Sequence, residues 1–190
     1  MRCLNCGNLS FFALCKLCEE SIVLKPKIRD LGDFKVYSFY TFSEMDSLMY
    51  AKYKVVGSKI YRILAKKAAD YLRDSLKSPL NAYGIGIDDK VQKNGYAHNG
   101  IFLYALKKVG IKPIFGALHA KNNVSYAGKN LEFREKNPRN FALQIQCKNK
   151  EIFLVDDIIT TGLTLKEAKK YLEQFGNKIL GAFVLCDAKD

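Results

Sequence analysis

Tryptophan is absent from this 190-residue chain, histidine occurs twice and proline four times. With His98 and His119 as the whole supply, no Ser/His/Asp or Cys/His nucleophile arrangement can be argued. A lone histidine is more often structural than catalytic. No apolar run approaches the roughly 20 residues that a membrane helix needs. The one early apolar patch, Leu9 to Leu14, is too short and too closely flanked by cysteines for a secretory signal. No membrane insertion and a cytoplasmic location are therefore expected. Gly84-x-Gly86 lacks the third glycine of a dinucleotide fingerprint, and Gly57-Ser58-Lys59 lacks the upstream glycine of a P-loop. Neither an internal repeat nor a low-complexity segment is present.

Acidic residues are scarce in the middle of the chain. Residues 51–150 hold 20 basic and 6 acidic side chains, a net of +14, while residues 1–50 are neutral and 151–190 carry −2. A localised positive field points to a polyanion such as nucleic acid, or to a multiply phosphorylated small ligand. A Lys-rich solvated surface accounts for it equally well. The apolar fraction of 48% is that of a folded chain, and the length suits one domain with a small appendage.

Four of the six cysteines stand in two pairs, Cys3-x-x-Cys6 and Cys15-x-x-Cys18. Each spacing lets two thiolates from one tight turn reach a single ion, and two such turns complete a tetrahedral S4 set suited to structural zinc. Residues 1–20 bury too little to fold alone, so a metal would supply the missing stabilisation. Disulfides are the rival reading, disfavoured by the lack of an export signal. Cys147 and Cys186 are isolated and expected to be small buried hydrophobes.

Beyond the cysteines, strands alternate with helices. Strands are expected over 36–42, 83–87, 112–118, 151–155 and 178–186, with helices over 59–76, 99–109 and 165–175. Residues 121–140 lose the apolar period and read as a loop or arm. The fold class is α/β, a parallel sheet flanked by helices. The expected divisions are a zinc module over 1–24, a linker over 25–35 and a main domain over 36–190.

The chemistry concentrates in Ile152-Phe-Leu-Val-Asp156-Asp157-Ile158-Ile159-Thr160-Thr161-Gly162-Leu163-Thr164. An apolar strand delivers two consecutive carboxylates to the carboxyl edge of a sheet, where open α/β folds bind ligands. Gly162 lets the backbone curl, and the next helix points its first amides and positive dipole end at the same place, as in a phosphate cradle. Carboxylates beside a phosphate site suit neighbouring hydroxyls, such as those of a ribose. The combination selects a ribose 5-phosphate group.

This run closely resembles the phosphoribosyl-pyrophosphate (PRPP) motif of type I phosphoribosyltransferases. The whole chain resembles the ComF family of bacterial competence proteins, through the four-Cys knuckle, Lys52-Tyr53-Lys54 before Gly57, and the Asp-Asp-Ile-Ile-Thr-Thr-Gly run. Leu131, Arg134, Asn140, Phe141 and Ala142 are placed similarly to a further family region. The resemblance implies a type I phosphoribosyltransferase-like fold. It also implies that Asp156 and Asp157 hold the ribose hydroxyls while Ile158 to Thr164 wrap the 5-phosphate. The family's second phosphate loop falls at Ile87-Asp88-Asp89-Lys90, where the family's arginines are replaced by acids. Those acids suit a pyrophosphate-bound Mg²⁺ or a solvated turn. Lys52, Tyr53 and Lys54, with Arg134 and Lys136, are candidates for nucleic acid or phosphate; the alternative for the first three is an exposed helix edge. Two functions are implied. One is a PRPP-binding protein that handles single-stranded DNA in natural transformation, beside partners such as a translocating helicase or a DNA-processing protein. The other is an active Mg²⁺-dependent transferase moving ribose 5-phosphate from PRPP to a base.

Overall fold

The computed structural model describes residues 1–122 and 131–189. A short helix α1 (Lys16–Glu20) follows the first cysteines, and the chain then enters an antiparallel hairpin of β1 (Lys27–Asp30) and β2 (Lys35–Thr41). Valine and aromatics crowd β2, which favours a pleated strand. Helix α2 (Phe42–Met49) and a 3-10 turn over Tyr50–Tyr53 lead into α3 (Gly57–Ser75). Ile60, Tyr61, Leu64, Ala65, Ala68 and Leu72 recur on one face of α3 and are buried. β3 (Tyr83–Gly86) is followed by α4 (His98–Ala105), whose last turn tightens over Leu106–Val109 and ends at left-handed Gly110. Then come β4 (Lys112–Pro113), β5 (Leu118–Ala120), α5 (Leu131–Lys136), β6 (Phe141–Leu143), β7 (Glu151–Ile159), α6 (Leu163–Glu173) and β8 (Lys178–Asp187).

Among the described residues one six-stranded sheet runs β1-β2-β8-β7-β3-β4, parallel throughout except for β1. β5 and β6 form a separate antiparallel pair. The α3 and α4 side chains share a core with Phe39, Phe153 and Phe183 on one face of the sheet. Leu165, Ala168 and Leu172 of α6 pack with Ile85, Ile152, Leu154 and Val184 on the other. The α3 and α4 crossovers run toward β4, whereas the α6 crossover runs back from β7 to β8. The direction therefore reverses between β7 and β3, the place where α/β sheets open a crevice at their carboxyl ends. Gly84 lets α4 pack close on β3, since a Cβ there would come within 2.5 Å of Leu103 on α4.

Several expectations need correcting. The stretch 25–35 is not a free linker: it carries β1 and the turn into β2. The expected strand over 112–118 is β4 plus β5, parted by a turn at Gly116 with φ 62°. The expected arm over 121–140 contains α5, while 123–130 lies outside the described residues. β7 continues to Ile159, since β8 pairs with it as far as Asp187. Carboxylates are poor strand formers, and tertiary pairing overrides that preference here.

The cysteine segment is docked on the main fold. Cys3, Leu14, Cys18 and Ile22 are buried in one cluster with Met45 and Leu48 of α2. No described helix is long and apolar enough to cross a membrane.

Candidate functional site

β3 stops level with Val155, at the Gly86–Val155 pairing, while β7 runs on. Asp156 and Asp157 are thus strand residues whose β3 side is open, at the switch point of the sheet. Successive strand residues face opposite ways, and the two carboxylates accordingly meet different partners. Asp157 is 7% exposed. Its Oδ2 accepts from Lys52 Nζ at 2.7 Å, lies 3.2 Å from the Tyr61 hydroxyl and 3.7 Å from His98 Nε2. Asp156 Oδ1 accepts from Asn99 Nδ2 at 3.1 Å and from the Asp157 amide at 2.9 Å. Asn99 Nδ2 also donates to Ile87 O at 2.7 Å, so one side chain bridges the ends of β3 and β7.

Electrostatics separate the pair. Burial would raise Asp157, but the Lys52 ammonium and His98 beside it hold its carboxyl well below the usual range. Burial and the neighbouring Asp157 charge push Asp156 up to about 7. Burial also lowers His98, against the pull of Asp157. Asp157 is the fixed charge and Asp156 the group that titrates.

Lys52 reaches Asp157 because the loop after β3 grips its backbone. The Tyr96 hydroxyl donates to Lys52 O at 3.0 Å and Asn94 Nδ2 donates to the same oxygen. Gly57 is required beneath this contact, since a Cβ there would collide with the Ala51 carbonyl and with the Tyr96 hydroxyl. Lys52 is thus a crevice residue rather than a surface cation. Tyr53 and Lys54 are exposed, and Tyr53 stacks on Tyr50 with ring centroids 6.5 Å apart. Lys136 is exposed and pairs with Glu132 at 2.7 Å. The Arg134 side chain lies outside the described residues.

Of the expected phosphate-loop residues, Ile158 and Ile159 belong to β7, and Ile159 is a core residue at 2% exposure. The loop proper is Thr160, Thr161 and Gly162. Gly162 takes φ 83° and caps α6 with no side chain of its own, and the first amide of the helix, that of Leu163, donates to Thr161 Oγ1 at 3.4 Å. Thr164 lies in the first turn of α6.

Ile87 is buried, and Asp88 adopts the left-handed region at φ 47°. Asp88 Oδ1 accepts from the Ala120 amide at 2.9 Å, with Lys90 Nζ at 3.2 Å and Arg139 3.7 Å from its other oxygen. Asp89, 5% exposed, accepts from the Gly116 amide at 3.0 Å. These acids tie the end of β3 to both ends of β5, Asp89 to the turn before it and Asp88 to its last residue.

The four cysteine sulfurs lie within 4.8 Å of one another, with Cys6 and Cys15 Sγ 3.8 Å apart, and all six cysteines are free thiols. A tetrahedral ion with metal–sulfur bonds of about 2.3 Å requires sulfurs about 3.8 Å apart. The cluster therefore fits one metal ion such as zinc. Cys147 and Cys186 are buried.

Sequence reasoning missed Asn99 and Tyr61 and did not foresee the pairing of Lys52 with Asp157. The signal for Asn99 was its place at the start of α4, which turns its side chain toward the same strand ends.

Residues 117–190 match the model of the phosphoribosyl transferase domain. Over 98 residues, 50% of this chain, the sequence is 32% identical to an orotate phosphoribosyltransferase of Coccidioides immitis (strain RS), 40% of which is covered. Over 48 residues, 25% of the chain, it is 44% identical to a hypoxanthine-guanine phosphoribosyltransferase of Aquifex aeolicus (strain VF5), with 27% of that protein covered. The chain thus spans less than half the length of these curated relatives. Among solved structures, a hypoxanthine phosphoribosyltransferase from Staphylococcus aureus superposes with a TM-score of 0.41 and 18% identity, covering 67% of this chain and 62% of that one. A purine phosphoribosyltransferase from Pyrococcus horikoshii Ot3 gives 0.37 and 15%, covering 80% and 89%. The chain carries a phosphoribosyltransferase-like domain, and the crevice just described lies at its strand ends.

Asp156 holds its proton in the fold up to about pH 7 but loses it near 3.8 when unfolded, so its contribution is full below pH 4 and disappears as pH rises through 7. Asp156→Asn should leave the melting temperature unchanged at pH 3 and raise it increasingly from pH 4 to pH 8, measured by scanning calorimetry across that range.

Proposed function

We propose that the crevice binds PRPP. The 5-phosphate sits on the amides from Thr160 to Thr164, with Ile158 and Ile159 as the strand that delivers them, and the ribose hydroxyls meet Asp156 and Asp157. The observation that carries this is the sequence of groups along one strand end: an open carboxylate, a charge-neutralised carboxylate, a Thr-Gly curl and a glycine-capped helix N-terminus. Hydroxyls at one end and a phosphate monoester at the other match that order. The diphosphate would extend toward Ile87 to Lys90. Asp88 is engaged within the protein, whereas Asp89 keeps its buried Oδ1 without a partner among the described residues, so Mg²⁺ would be held by the oxygens of the diphosphate with Asp89 as the candidate carboxylate of the two. The cysteine cluster would hold one structural zinc.

We further read the chain as handling single-stranded nucleic acid in DNA uptake, in line with its likeness to competence proteins and the +14 net charge of residues 51–150. A transferase reading stands beside it: the ribose C1–oxygen bond to pyrophosphate breaks while a base nitrogen bonds to C1, through an oxocarbenium-like state stabilised by positioning and charge. Both curated relatives, the orotate and the hypoxanthine-guanine enzyme, are phosphoribosyltransferases, which favours it.

Titration calorimetry with PRPP and Mg²⁺ tests the core of this. At pH 8, where its carboxyl is ionised, Asp156→Ala should weaken PRPP by about 10–100-fold, the loss of hydrogen bonds to one charged group, without lowering the melting temperature. Unchanged affinity rejects the site. Pyrophosphate release that depends on one added base would favour the transferase. For the nucleic-acid role, single-strand affinity should fall with salt at a log–log slope of about −0.7 per neutralised phosphate, and a flat profile counts against it. Metal analysis should find about one zinc per chain, lost in Cys15→Ser.

A further inference from the structure

β1 is an edge strand, and three of its four residues are exposed. Its one partly buried side chain, Arg29, turns inward and forks. One guanidinium nitrogen donates to the Thr160 carbonyl and another pairs with Asp187, itself 2% exposed. Thr160 opens the phosphate loop and Asp187 closes β8. Two residues on, Leu31 lies against the loop, where a Cβ at Gly162 would come within 2.8 Å of its Cδ1. The same short segment thus touches the loop at both ends of Thr160–Gly162.

Drawing a guanidinium out of water is costly, and an edge strand makes no such demand of its side chains. Arg29 could lie in solvent beside Lys27. What the fork secures is the direction of the Thr160 carbonyl, which fixes the peptide plane from which the following amides continue. Asp187 is the anion that keeps the fork in place.

We propose that Arg29 is a positioning residue for the 5-phosphate loop: held by Asp187, it fixes the Thr160 carbonyl so that the amides of residues 161–164 converge on a phosphate monoester. This rests on the PRPP reading above. It predicts that the affinity controlled by Arg29 belongs to the 5-phosphate and not to the diphosphate.

The experiment compares wild type, Arg29→Met and Arg29→Lys by calorimetry with ribose 5-phosphate, PRPP and Mg²⁺-pyrophosphate, and by hydrogen exchange of the loop amides. Arg29→Met should lose about tenfold for both ligands that carry a 5-phosphate and less than about twofold for pyrophosphate. Arg29→Lys should recover part of the loss, because an ammonium can hold one acceptor but lacks the planar fork. Amides 161–164 should exchange faster, while those of residues 152–155 stay protected. Equal losses for all three ligands, or unchanged affinities with a lower melting temperature, would overturn the proposal. Should Arg29→Met fail to fold, Arg29→Lys is judged by the same comparison. If the wild type binds neither ribose phosphate, the PRPP reading fails, and the exchange measurement alone judges the clamp: unchanged loop exchange overturns it.

Discussion

Two carboxylates on consecutive residues of one strand, at a place where water is largely excluded, cannot both stay charged without help. The crevice is organised around that constraint. Lys52 answers it for Asp157, and Asn99 answers it for Asp156 with neutral amide protons. The supporting contacts exist to bring those two side chains in. Tyr96 and Asn94 hold the Lys52 carbonyl, and Gly57 gives the Tyr96 hydroxyl room. The outcome is a pair with divided properties, one carboxylate ionised over the whole physiological range and the other titrating near neutrality.

The position of this pair follows from handedness. Crossovers through α3 and α4 on one face lead one way along the sheet, and the crossover through α6 on the other face leads back, as a common right-handed rule for such connections requires. The strands that part company, β7 and β3, leave a gap at their carboxyl ends. Asn99 and the Ile87 carbonyl line one side of it, and the Thr-Gly loop continues from the other. β1 and the cysteine segment are additions to this frame, and each is tied to it by side chains: Arg29 and Leu31 on the loop, Leu14 and Ile22 against α2.

Much of this was legible from one-dimensional pattern. The apolar period of residues 59–76 marked α3, and the continuous run Ile152 to Val155 marked a strand buried on both faces. The Cys-x-x-Cys spacings marked a closed ligand set, since spacing within one tight turn is a local property. Other features were not legible. Residues 25–35 have the composition of a linker, and only pairing with β2 makes a strand of them. Lys52, in a basic and aromatic stretch, looked like a surface cation because nothing near it in sequence announces Asp157, 105 positions away.

The sequence by itself determined the alternation of strands and helices, the acids at a strand end, the glycine that lets the loop curl, and the four-sulfur knuckle. Each is set by side-chain period, backbone freedom or spacing over a few residues. The tertiary structure alone decided which acid keeps its charge, which lysine enters the crevice, how far β7 extends and what restrains the loop. Those depend on burial and on partners far apart along the chain, and desolvation is a property of a place in space that no local pattern encodes.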